Sequence, residues 1–236
     1  MAQADWNEWD DQSDIASLRH GVSVGYTPPA GGGAFIYGMY TAVSAATCGG
    51  LRCAVADYGP VAAGEGVSVR GALYRRAEAA HAAYLVANAQ GSSVEDDAYL
   101  LGVEEVEPGR IVIRKGKIGD GMVTGLRTLA ASTLRYAGAA WRHLRLDVLP
   151  NANGDVVLNA YLSDLTAHDV TAPVWERIAG LGDPPNGTPS FVDDVLGVNA
   201  GSEPLVVGGY VGFAFHATAI GRFGGFDHLE ILRTGV

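Results

Sequence analysis

The chain is poor in cysteine and in basic residues, and it has no long apolar run. Only two of its 236 residues are cysteines. Cys48 and Cys53, in CGGLRC, are too few for a disulfide framework and lack the second ligand pair that a zinc site needs. They read as reduced thiols, with a short bridge or a metal clip as the lesser alternatives. Sixteen Lys and Arg stand against 26 Asp and Glu, a formal charge of −10. That balance opposes binding to a phosphate backbone, which needs a positive surface to release counterions, so nucleic acid is excluded as a partner. No segment reaches the roughly 18 to 20 apolar residues of a membrane span. The opening MAQADWNEWDDQSD has neither a basic nor an apolar leader region, from which a soluble protein made without a cleavable export signal is expected. Neither H-E-x-x-H nor a histidine pair at i, i+4 occurs, and the glycine clusters precede strands rather than a helix N-terminus. No metal and no cofactor is expected.

What the chain does have is a composition 48% hydrophobic with 33 glycines, enough for one substantial core. Residues 1–14 carry five acids, no base, and Trp6 and Trp9. They read either as a frayed terminus or as an acidic arm that docks its indoles on a neighbouring chain. Residues 15–236 read as a single domain in which short apolar runs alternate with period two, the pattern of strands. In Trp141–Leu149, Leu144, Leu146 and Val148 share one face, while His143, Arg145 and Asp147 share the other. Asn153-Gly154 then suits a hairpin turn, and Val156–Leu162 alternates again. A second hairpin is expected from Tyr210–His216 and Phe226–Leu232 around the glycines of 221–225. Further strands are expected at Val22–Tyr26, Phe35–Tyr40, Val67–Leu73, Tyr99–Val103 and Ile111–Lys115. RRAEAAHAAYLVA, from Arg75 to Ala87, has helical propensity but lies between strands, and reads as strand from Ala82. Residues 163–204, with five prolines, read as a long loop holding a short helix near Trp175–Ala179. The fold class is all-β, an antiparallel sandwich or barrel with little helix.

Chemical motifs are sparse. Gly21-Val22-Ser23-Val24-Gly25 matches G-x-S-x-G, but its serine sits inside a strand pattern and not at a strand-to-helix elbow. The six histidines fall singly; His143, His216 and His228 read as solvated or interfacial residues on strand faces. Asp227-His228 near Glu230 could form an acid/base pair but shows no third partner. Glu104, Glu105 and Glu107 precede Pro108-Gly109 and read as a charged turn rather than a glycosidase pair. Asp96-Asp97, Asp193-Asp194 and Asn199 offer oxygens without the spacing of a calcium loop. Trp141, Trp175, Tyr161, Tyr210 and Phe223 could be core aromatics or a sugar-stacking platform. Arg110–Arg145 holds eight bases and one acid, whereas Leu146–Val236 holds eleven acids and three bases. That asymmetry reads as two solvated faces, with complementary subunit surfaces as the alternative.

Several segments together resemble a known family: WRHLRLDV (141–148), GDVVL (154–158), GGYVGF (208–213) and FDHLEI (226–231) look like late strands of concanavalin A-like, laminin-G-type jelly rolls. AYLLGV (98–103), PGRIVIRKG (108–116) and SFVDDVLG (190–197) resemble segments of such domains in structural proteins of tailed bacteriophages. The resemblance spans roughly residues 65 to 232. It implies a two-sheet antiparallel jelly-roll sandwich and no intrinsic enzyme; the alternating Glu-Asp-Glu strand motif of related glycosidases has no match. On this reading the chain is a non-enzymatic virion component, of tail tip, baseplate or capsid decoration, assembled in the host cytoplasm. Its partners are other virion proteins and further copies of itself, contacted through Trp6, Trp9 and Trp175. The alternative is a carbohydrate-binding adhesion module using Tyr161, Trp175 and Tyr210; a glycoside hydrolase ranks last.

Overall fold

The computed structural model describes residues 6–10, 15–18, 29–32, 37–41, 50–56, 64–89, 98–116, 126–181, 190–197, 204–205, 208–219 and 221–234. Fifteen strands and no helix occur among them. The first five are β1 (Trp6–Asp10), β2 (Ile15–Leu18), β3 (Tyr37–Thr41), β4 (Gly50–Ala56) and β5 (Gly66–Arg75). β6 (His81–Ala89), β7 (Ala98–Val103), β8 (Gly109–Gly116), β9 (Arg127–Tyr136) and β10 (Ala140–Pro150) follow. The last are β11 (Val156–Ser163), β12 (Glu176–Arg177), β13 (Phe191–Asp193), β14 (Tyr210–Ala217) and β15 (Phe223–Thr234). They form two antiparallel sheets, ordered β1-β4-β14-β6-β7-β8-β9 and β12-β11-β10-β5-β15-β3-β2, with β13 pairing β11 in the second. The expected all-β, two-sheet jelly-roll sandwich is therefore the fold.

The core follows from alternation. Leu144, Leu146 and Val148 of β10 and Val156, Leu158 and Ala160 of β11 turn inward, opposite Leu85, Tyr99, Leu101, Phe213 and Phe215 of the other sheet. Each large side chain so buried contributes about 1.5–3 kcal/mol relative to exposure. Phe213 and Phe226 meet across the two sheets with ring centroids 4.8 Å apart. A second buried apolar layer, including Tyr84, Val86, Leu100 and Val112, covers the outer face of the seven-stranded sheet, so β6 and β7 are buried on both faces. The Tyr84 ring lies over Gly102, where a Cβ would collide with the Ala83 carbonyl oxygen and the ring itself. Only glycine fits there.

The β10–β11 hairpin forms as expected, with Leu149 opposite Val157 around the turn. Two expectations are corrected. β14 and β15 do not pair as a hairpin: β14 lies between β4 and β6 in one sheet, and β15 between β3 and β5 in the other. β14 alternates as read, whereas β15 is bulged between Asp227 and Glu230, so the inward side passes from Phe226 to Leu229 and Ile231, and the two strands lie in opposite sheets. The helix near Trp175–Ala179 is extended chain, because Glu176 and Arg177 pair with β11 and the Ile178 amide donates to Ala160 O at 3.2 Å. β6 begins at His81, one residue before the expected start, and the loop 163–204 contains β12 and β13. Residues 1–14, read as an arm, include β1, which is paired along β4 at the edge of the first sheet.

Candidate functional site

The end of β9, the start of β10, the end of β11 and residues 176–179 enclose a cleft of about 530 Å³. Its walls come from both sheets, since β9 ends one and β10 to β12 belong to the other. The segment after β12 ties them together: the Thr133 amide donates to Ala179 O at 3.0 Å. Leu134, Leu162 and Ile178 provide apolar wall, and Tyr136 and Trp141 the aromatic surface. Two cations, Arg142 and Arg177, face two carboxylates, Asp164 and Glu176, with Ser163 and Thr166 adding hydroxyls.

These groups are held from behind. Trp141 packs on Tyr74 with centroids 5.5 Å apart, and Gly225 admits its edge because a Cβ there would stand 3.2 Å from Cη2. Arg142 donates from Nη1 to Trp141 O at 3.0 Å and from Nη2 to Ala137 O at 3.1 Å, with Cζ 5.7 Å from the Tyr136 ring centroid. Burial pulls its pKa below the ordinary guanidinium value, and burial raises that of Tyr136. Asp164 accepts from the Thr166 amide at 2.9 Å and hydroxyl at 2.8 Å, and these bonds hold its carboxyl below the usual range.

Beside the cleft, the outer face of the second sheet carries an aromatic and charged array. Tyr161 is registered between Arg145 and Arg177, whose guanidinium carbons lie 5.0 and 5.1 Å from its centroid. Arg145 also grips Asp147 at 2.7 Å, and Arg177 donates to Asn159 Oδ1 at 2.8 Å. Trp175 packs 4.6 Å from His143, which is fully buried and has no hydrogen-bond partner on either ring nitrogen among the described residues. Burial, His228 and Arg70 lower the His143 pKa to about 4. His228 stands edge-on at 6.0 Å, 2.7 Å from Glu230, which Arg70 also binds.

A separate cluster lies on the first sheet. Glu105 accepts from Tyr84 OH at 3.1 Å and from Arg114 Nη2 at 2.7 Å, with His216 Nδ1 3.0 Å away. Burial pushes the Glu105 carboxyl up, but His216 and Arg114 outweigh it and hold the group well below its ordinary value. Between the sheets, Lys115 Nζ and Tyr99 OH both reach Asp193 Oδ2, at 2.7 and 2.6 Å.

The candidate glycan residues are not gathered. Tyr161 and Trp175 share the outer face of the second sheet, Tyr210 borders the apolar layer of the first, and none of the three lines the cleft. Trp6 and Trp9 lie opposite Ala56 and Cys53 in the β1–β4 ladder. The glutamates of the presumed charged turn each bind a base from another part of the chain: Glu104 with Arg110, Glu105 with Arg114, Glu107 with Arg75. Four bases of the 110–145 stretch are therefore matched internally, counting Lys115 with Asp193 and Arg145 with Asp147, and Lys115, fully buried, departs from the solvated-face reading. His143 is buried rather than solvated. Sequence reasoning missed Arg142, Asp164 and Glu176; a base and two acids flanking the alternating hairpin were the available signal. No group of three or more His, Cys, Asp or Glu among the described residues could hold a metal ion. Cys48, Ser23, Asp96, Asp97, Asn199 and the strand expected at Val22–Tyr26 lie outside the described residues.

No protein-family model matches the chain, and no curated protein does. Among solved structures it is similar to the carbohydrate recognition domain of Emp46p, metal-free form, with TM-score 0.48 and 8% identity over 97% of this chain and 88% of that one. The lectin from Bauhinia forficata in complex with GalNAc gives 0.43 and 12%, covering 98% of both chains. The endo-β-1,4-glucuronan lyase from the fungus Trichoderma reesei gives 0.41 and 12%, covering 98% and 95%.

Proposed function

We infer that the chain is a carbohydrate-binding domain whose ligand is an uncharged saccharide seated in the cleft between β9 and the β10–β12 edge. The observation carrying this reading is the composition of the cleft: two half-buried aromatics beside two fixed cations, two carboxylates and hydroxyls in about 530 Å³. A sugar presents an apolar C–H face to an aromatic ring and hydroxyls that donate and accept at once, so it suits such a mixture. The charges balance, which favours a neutral ligand over an acidic polymer. In a glycan-array screen followed by calorimetry, Trp141→Ala and Asp164→Ala are each expected to weaken binding at least tenfold, about 1.4 kcal/mol. Tyr210→Ala, on the other sheet, is expected to leave it unchanged. Asp164 is exposed, so its replacement spares the fold. An inert array, or equal losses for all three variants, overturns the reading; turnover of a bound glycan assigns an enzyme instead.

Assembly into a virion is the second reading, supported by the resemblance of residues 65 to 232 and by β1. That strand ends the seven-stranded sheet, and a terminal strand is a place where another chain can add. On this reading the module serves particle adhesion and assembles with other virion proteins in the host cytoplasm. Deleting residues 1–14 is then expected to leave the domain folded but abolish its recovery in the particle band of a density gradient; normal recovery excludes the role of that segment.

A further inference from the structure

The geometry points to a covalent modification: an isopeptide bond between Lys115 and Asp193 that joins the two sheets. Lys115 lies on β8 of the first sheet and Asp193 on β13 of the second, 78 positions apart. Nζ is 2.7 Å from Oδ2, and both side chains are fully buried. Tyr99 OH bonds the same Oδ2 at 2.6 Å and is itself fixed by the Leu205 amide, which donates to it at 3.1 Å. Asp193 Oδ1 is buried without a hydrogen-bond partner among the described residues. An amine nucleophile, a carboxyl electrophile and a phenol donor thus converge on one atom, in a core that includes Phe191 and Ile113.

In water an ammonium and a carboxylate do not condense, because both are stabilised by hydration. A dry core withdraws that stabilisation, and proton transfer along the short Nζ–Oδ2 hydrogen bond produces the neutral amine and acid that can react. The Nζ–Cγ bond forms and the Cγ–Oδ2 bond breaks. Two of the three ammonium protons leave on Oδ2 as water, the third remains on the amide nitrogen, and Oδ1 becomes the amide carbonyl oxygen. Tyr99 bonds the departing oxygen throughout and ends with its own proton. No oxidant or co-reactant is needed, and the product replaces two buried charges with one neutral amide.

The test is intact-mass spectrometry of the purified full chain, followed by tryptic mapping. A mass 18 Da below the sequence value, with a branched peptide joining the Lys115 and Asp193 segments, is the expected result. Tyr99→Phe is expected to slow the reaction, so that freshly prepared protein shows a larger share at full mass, and Lys115→Arg shows full mass only. Folded wild-type protein that stays at full mass with linear peptides after prolonged incubation overturns the proposal. So does an 18 Da loss that maps to another site.

Discussion

Lowering the pH from 7 to 4 is expected to cost the protein about 6 kcal/mol of stability through two histidines. His81 and His143 are both fully buried, and burial first, then neighbouring cations, lowers each pKa from 6.5 to about 4. For His81 the cations are Arg75 and Arg222, opposed by a contact with Ala79 O and by Glu78; for His143 the neighbours that lower it are His228 and Arg70, opposed by Glu230. Each ring is neutral in the folded chain and protonated in the unfolded chain between those values. The unfolded state therefore binds more protons in that window, and stability falls as pH falls through it, by up to about 1.4 kcal/mol per unit for each histidine. Glu105 acts in the same direction lower down: its depressed pKa gives stability that is present above pH 4.5 and lost below it. Denaturant titrations at pH 7, 6, 5 and 4 measure the slope. His143→Phe, which keeps a ring against Trp175 and removes the titration, is expected to halve the slope between pH 6 and 4. A wild-type midpoint that does not move over that range contradicts the assignment.

The second large effect is expected from Lys115→Met. In whichever bonded form the pair exists, removing the amine leaves the Asp193 carboxylate between the sheets, with Oδ1 unpartnered and Oδ2 reduced to the Tyr99 hydroxyl among the described residues. Stranding a buried charge in this way costs about 3–5 kcal/mol. In a chain of this size that lowers the melting temperature by roughly 10 °C. Arg145 offers the comparison. It also pairs with a buried aspartate, but on an outer face where 28% of its own side chain is exposed, so Arg145→Met is expected to cost less than Lys115→Met. Thermal melts of the two variants at neutral pH, measured side by side, check the ordering; equal shifts contradict it.

The legible parts of this fold are those where partners are close in sequence. β10 and β11 could be read as partners because Leu144 to Val148 and Val156 to Leu162 alternate on either side of Asn153-Gly154. β14 and β15 could be read as strands but not as partners, because alternation assigns faces and does not assign neighbours. Trp175–Ala179 shows the opposite limit: its local composition allows a helix, and hydrogen bonds to Ala160 and Thr133 make it an edge segment instead. Candidate-site residues were hardest to find because the cleft unites β9, β10, β11 and β12, and no short motif spans them. Glu105 was visible as a charge beside a turn, but its contacts at Tyr84, Arg114 and His216 come from three different strands. Lys115 and Asp193 carried no signal as a pair, since nothing local distinguishes a surface lysine from one whose partner is 78 positions away.

The interleaving of late and early strands governs the order in which the molecule can be assembled. β14 sits between β4 and β6, and β15 between β3 and β5. A nascent chain that has exposed residues 1–200 therefore has a vacant lane in the middle of each sheet, and the core between them cannot close. The phenylalanines that meet across the gap, Phe213 and Phe226, belong to these two strands. During synthesis both sheets stay open until these two strands have emerged, with the edges of β5 and β6 uncovered in the interval, and closure depends on contacts distant in sequence.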